Sequence, residues 1–172
     1  MAGPEVRHGY GDALCGKAVF AMHISARGDY AVRASLGLAA AYPAVVSAAG
    51  LADEQEMPRK FLEAVLGDLR RAGLVRGQRG VDGGYVLTRQ PSEIMVGDVL
   101  RAVDGPLAEV RGVRPEEAMY SGTAEHLQQL WVAVRAAVRN VLDEVSLADV
   151  VRGRMPAHVR RLTTPPQAWQ PR

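Results

Sequence analysis

The sequence predicts a mainly α-helical chain with one small β-hairpin. Three observations lead there. Apolar residues recur at three- and four-residue steps over several segments, most of them opened by a serine or a proline. A single run of short β-type segments, Leu74-Val75-Arg76 and Tyr85-Val86-Leu87, flanks a glycine-rich loop. The balance of 48% hydrophobic to 23% charged residues is that of a folded chain, and with 5% aromatics the core must be built from Leu, Val and Ala.

Residues 1–21 carry Gly3, Pro4, Gly9, Gly11 and Gly16 and no helical period, and read as a flexible extension with Met22 as the functional beginning. From Ser25, a suitable N-cap, Tyr30, Ala31, Ala34, Leu38 and Ala41 mark a first helix that Pro43 stops. Ser47 caps a short second helix to about Gln55, and Pro58 heads a third. In the third, Phe61, Leu62, Val65, Leu66 and Leu69 form an apolar face, opposite Arg59, Lys60, Glu63, Ala64 and Gly67. Gly73 terminates it.

Two helices joined by a tight turn, the second with a polar outward face, make a helix-turn-helix or an ordinary helical hairpin. The strands that follow favour the first. They enclose Gly77 to Gly84, where an Asp-Gly pair and further glycines supply the positive φ angles of a hairpin tip. A hairpin directly after a helix-turn-helix is a wing, with Arg79 on its tip. A phosphate-binding loop would need a Lys-Ser/Thr pair and a following helix, and neither is present.

Beyond Pro91 a short helix spans about Gly97 to Val103, completing a domain at 22–106. Residues 107–122 form a long connection without period, of the kind that carries a sensing role or is disordered. The longest helix, about Thr123 to Glu144, carries Leu127, Leu130, Trp131, Val134, Val138 and Val141 in one stripe. The stripe is either a dimer seam or a buried intramolecular face; a compact winged helix has little surface left to cover it, which favours the seam. Ser146 caps a last short helix, so 123–153 reads as a dimerisation segment. Residues 154–172 read as a flexible basic tail, since from Arg152 onward there are five Arg, no acid and four prolines.

The net charge of +2 says little, but from Met57 to Gln90 seven Arg/Lys face three acids, a local excess that attracts a polyanion. One cysteine, Cys15, excludes an internal disulfide framework and a multi-cysteine metal site. No apolar run approaches a membrane span, and no secretory signal opens the chain, so the expected address is the cytoplasm. His8, His23, His126 and His158 are scattered over separate elements and form no catalytic order, which argues against an enzyme.

The blocks from Ile24 to Arg33, Met57 to Leu62, Leu69 to Val75, Arg79 to Leu87 and Asp98 to Pro106 occur in an order that resembles the Rrf2 family of bacterial regulators, relatives of IscR, NsrR and CymR. The RGxxGGYxL wing is the most distinctive block. The resemblance covers about Met22 to Gly153. It implies a winged-helix homodimer that binds double-stranded DNA at an inverted-repeat operator and represses transcription. It implies DNA contacts from Ser25, Arg27 and Tyr30 at the first helix, from Arg59, Lys60 and Glu63 on the recognition helix, and from Arg79 in the minor groove. The chemistry agrees: Arg forks to guanine, Glu accepts from cytosine, and a cation suits a narrow minor groove.

Many relatives carry three cysteines in the loop that here spans 107–122, and these ligate an iron–sulfur cluster. This loop has none, and Cys15 lies outside the matching region. Cluster ligands near the first two helices would fall on Asp29, Arg33 or Glu54, and Arg33 is unsuited. The expectation is therefore no cofactor and no metal. The cysteine-free pattern is more similar to the cysteine-metabolism branch, with a small-molecule or protein effector acting through Ala108 to Ser121. The alternative to a regulator is a winged-helix adaptor for protein partners, which requires an apolar or acidic outward face on the third helix.

Overall fold

In the computed structural model, which describes residues 24–171, the chain folds around one long central helix. α1 (Ala26–Ala41) begins at Ser25, whose side chain accepts a hydrogen bond from the Gly28 N–H at 2.8 Å. Its inward face is mostly small, with Gly28, Ala31, Ala34 and Ser35 buried beside Leu38, and this lets other helices pack close around it. α2 (Ala48–Glu54) is capped by Ser47, which accepts from Gly50 N–H at 3.0 Å. The turn into α3 (Arg59–Arg71) closes with Met57 N–H donating to Ala52 C=O at 2.9 Å, and Met57 itself is buried.

α3 buries Leu62, Val65, Leu66 and Leu69 beside α1. Each such side chain contributes about 1.5–3 kcal/mol of gross transfer free energy. Phe61 departs from the expected apolar face: it is 41% exposed and sets its ring edge-on to Tyr30, centroids 5.1 Å apart. It lies at the margin of the stripe, so it closes the α1–α3 seam from outside.

β1 (Val75–Gln78) and β2 (Gly84–Leu87) pair antiparallel, with Val75 opposite Leu87 and Gln78 opposite Gly84. The hairpin is tied to the body by Val46, which exchanges backbone hydrogen bonds with Tyr85 at 2.8 and 2.9 Å. Gly84 sits against the Val46 carbonyl with no room for a Cβ, so this position requires glycine. A 3-10 turn (Pro91–Glu93) leads into α4 (Val96–Asp104), which packs on α1 and α3.

The C-terminal half departs from expectation in three places. α5 (Leu127–Leu142) is shorter than the anticipated 123–144, because Gly122, at φ +61°, opens a separate 3-10 turn, Gly122–Ala124. α6 (Leu147–Val151) does not stay with the 123–153 dimerisation segment: Leu147 is fully buried against α1, and its N–H donates to Ile94 C=O at 2.9 Å. The chain thus returns to the winged-helix core after α5.

The tail 154–172, expected to be loose, contains α7 (Ala157–Thr163) and a 3-10 turn, Pro166–Trp169. Pro156, Pro165 and Pro166 stand at helix starts, where a missing N–H costs nothing. Trp169 Nε1–H folds back to donate to Thr163 C=O at 2.8 Å. The N-terminal extension and Cys15 lie outside the described residues. Among those described, no helix is long and apolar enough to cross a membrane.

Candidate nucleic-acid interface

The outward face of α3 is what the helix-turn-helix requires. Arg59, Lys60, Glu63 and Ala64 are all exposed, as are Arg70 and Arg71 at the far end. Arg59 stands 4.0 Å from Asp53 of α2, and both side chains are well exposed, so the pair holds the guanidinium only weakly. Lys60 and Arg79 have no ion-pair partner among the described residues. Arg79 is exposed at the wing tip, beside Val81, whose apolar side chain is wholly in solvent. Two unpaired cations and a protruding wing stand ready for a polyanion without any internal bond having to break.

The first-helix residues are more constrained. Ser25 Oγ accepts from Gly28 N–H and lies 2.7–2.8 Å from both carboxylate oxygens of Asp104, to which it donates. Its hydroxyl therefore serves the fold, joining the start of α1 to the end of α4. Tyr30 is half-buried between Phe61 and Arg33, whose guanidinium carbon lies 5.5 Å from the Tyr30 ring centroid. Arg27 is ion-paired to Asp68, which also holds Arg71. The Arg27 side chain is nevertheless 44% exposed, so its remaining donors face outward in a fixed orientation.

Asp68 is the residue that sequence reasoning missed. It is a carboxylate on the recognition helix that is only 6% exposed, and two guanidinium groups compensate its burial. The available signal was its phase, three residues after Val65 on the apolar stripe, but nothing local announces Arg27, 41 positions away.

In α5 no residue of the single chain is fully buried. Leu130 is 53% exposed, and Leu127, Trp131, Val134, Val138 and Val141 are only partly covered. One side of the helix leans on the 3-10 turn Pro115–Glu117, where Arg135 pairs with Glu116 and Gln128 Nε2 donates to Glu116 C=O at 2.8 Å. The Trp131 indole N–H is buried without a partner.

A helix-turn-helix with a cationic outward face and a free wing defines a winged-helix DNA-binding protein, a regulator of transcription. A family model described as "Rrf2: Iron-dependent Transcriptional regulator" matches residues 24–153, and the chain belongs to the Rrf2 family. It is 47% identical over 142 residues to the putative HTH-type transcriptional regulator Rv1287 of Mycobacterium tuberculosis, covering 82% of this chain and 88% of that one. It is 34% identical over 130 residues to the HTH-type transcriptional regulator CymR of Bacillus subtilis, covering 75% and 89%. Among solved structures it is similar to CymR (YrzC), the global cysteine regulator of B. subtilis, with TM-score 0.66, 32% identity and coverage of 76% and 97%. The T. potens IscR structure is similar at TM-score 0.63, 31% identity and coverage of 76% and 87%. These relatives are regulators, not enzymes.

The family description names iron, and among the described residues the donor set does not fit an iron centre. The 107–122 loop offers no thiolate and no imidazole. Among the described residues there is no cysteine, and no group of three or more His, Cys, Asp or Glu stands close enough to hold a metal ion. His126 is exposed at the start of α5, 3.2 Å from Glu125. Of the positions near the first helices, Asp29 lies 3.7 Å from Arg33, and Arg33 is bonded to Gln55 C=O.

Proposed function

We propose that the protein is a homodimeric repressor that binds an inverted-repeat operator and works without an iron–sulfur cluster. The observation that carries this is the pairing of an exposed cationic α3–wing surface with an α5 stripe that its own chain covers only in part. Two copies joined along α5 would bury that stripe and hold two reading heads at a fixed spacing, which is how a dimer matches a two-fold operator. Arg59, Lys60 and Glu63 would then meet base edges in the major groove, Arg79 the adjacent minor groove, and Arg27 a backbone phosphate. Ser25 and Tyr30 would contribute by fixing the start of α1, since both are engaged within the fold.

The cluster-free reading is supported by the absence of thiolates from the 107–122 loop. A link to cysteine or sulfur metabolism is supported by the likeness to CymR, a global cysteine regulator. Its signal would come from a small-molecule or protein effector. The adaptor alternative required an apolar or acidic outward face on α3, and Arg59 with Lys60 there favours DNA.

Genome-wide mapping of bound sites, followed by titration of a recovered site at two salt concentrations, tests this reading. It predicts a palindromic site and an affinity that falls steeply with salt. Binding that ignores salt, or sites without dyad symmetry, contradicts it. De-repression of the adjacent genes on deletion tests the sign of regulation.

A further inference from the structure

We propose that the cleft between α4, the loop after it and α5 is a receptor site for a small anionic metabolite, and that its occupation loosens α5 from the DNA-reading body. The inference rests on the regulator reading and names the signal that reading leaves open.

The cleft has a volume of about 700 Å³, within the range of sites for small metabolites. Its lining is charged where most such sites are apolar. Arg101, Arg114, Arg135 and Arg139 line it together with Asp98, Glu116 and Asp143, four cations against three anions. The acids are spoken for. Asp143 holds Arg101, with Arg139 at 3.1 Å; Glu116 holds Arg135; and Asp98 lies 3.6 Å from Arg101. Arg114 has no ion-pair partner within 4.0 Å among the described residues and is exposed at the rim, acting on Glu116 only at longer range. The charge left over is therefore a single guanidinium, whose planar fork suits a carboxylate or a phosphate.

The loop that walls the cleft is held under strain. Ala108, on the lining, sits at φ +61°, and Arg111 at φ +54°, in the left-handed region that residues with a Cβ avoid. Such a segment has another conformation available once new contacts compensate for moving.

The consequence for DNA follows from which ion pairs border the cleft. The Arg101–Asp143 pair joins α4 to α5, and α4 packs on both α1 and α3. An anion bound at Arg114 competes with Asp143 for Arg101 and Arg139. Releasing that tie frees α5 to tilt against the head, which alters the spacing of two heads joined through α5. By linkage, operator DNA and the anion change each other's affinity by the same factor.

The test is isothermal titration of the full chain with inorganic phosphate and, separately, with succinate, in a chloride-balanced buffer of constant ionic strength. The expected result is saturable binding of one of them at one site per chain, weakened at least tenfold by Arg114→Ala and unchanged by Arg161→Ala on α7. The anion that binds should shift the affinity for an operator duplex at least threefold, and Asp143→Asn should remove that shift. No saturable heat with either anion, or equal loss in Arg114→Ala and Arg161→Ala, overturns the proposal. Binding of an anion with no change in DNA affinity overturns the coupling. Steeply salt-dependent DNA binding without anion binding sinks this inference alone; absence of DNA binding sinks the regulator reading instead.

Discussion

α3 and α5 are both amphipathic, with apolar residues at the same three- and four-residue spacing, yet they end in different states. In α3 the stripe Leu62, Val65, Leu66 and Leu69 is at most 1% exposed, sealed by its own chain. In α5 the stripe around Leu130, Val134 and Val138 contains no fully buried residue. The difference lies in what packs opposite. α1 presents a small-residue face to α3, whereas α5 leans on one turn of the preceding loop by polar contacts. A helical period thus tells which face wants to leave water and not whether the same chain supplies the cover.

Substitutions in either helix separate the two states. Leu66→Ala should cost about 2–5 kcal/mol of stability, read by urea unfolding, because the site is fully enclosed. Leu130→Asp with Val134→Asp should leave the head folded by circular dichroism while light scattering reports a monomer. Operator affinity should then fall at least tenfold. If the double variant stays dimeric, the seam lies elsewhere; if it unfolds, α5 belongs to the intramolecular core after all.

Asp68→Asn keeps one hydrogen bond to Arg27 and removes the charge that two guanidinium groups share. A loss of about 1–3 kcal/mol is expected, in line with hydrogen bonds to charged groups. Lys60→Ala should weaken operator binding by about 1–3 kcal/mol if it reads a base, or all duplexes alike if it meets phosphate. Arg79→Ala should weaken sites with A/T-rich flanks more than others.

The smallest effect concerns acid. Burial raises the Asp143 pKa, but hydrogen bonds from Arg101 and then Arg139 outweigh it and hold the carboxyl below its ordinary value. A carboxylate depressed in the folded state contributes stability above its unfolded pKa, about 3.9. That contribution is lost as pH falls through the lower folded value. Asp143→Asn should flatten this acid limb in a stability-against-pH series.

Much of the head was legible because its signals are local. Ser25, Ser47 and Ser146 cap the helices that follow them, and the glycine-rich tip makes the wing. What escaped depends on residues far apart in sequence. Ser25 finds Asp104 across 79 positions, Asp68 finds Arg27 across 41, and Arg101 finds Asp143 across 42. No window of sequence contains both members of such pairs. The same holds for α6, whose Leu147 reaches the main core only because α5 carries the chain away and the following turn brings it back. The tail misled for a different reason: its prolines read as breakers, but Pro156, Pro165 and Pro166 occupy helix starts.

The salt dependence of affinity for a recovered operator measures the central claim most directly. If Arg27, Arg59, Lys60 and Arg79 from each of two protomers displace condensed cations from the phosphates around them, log K should fall against log salt with a slope of about −7, and Arg79→Ala should reduce its magnitude by about 2. A slope near zero, unchanged in Arg79→Ala, would contradict the claim that this cationic helix and wing grip a duplex.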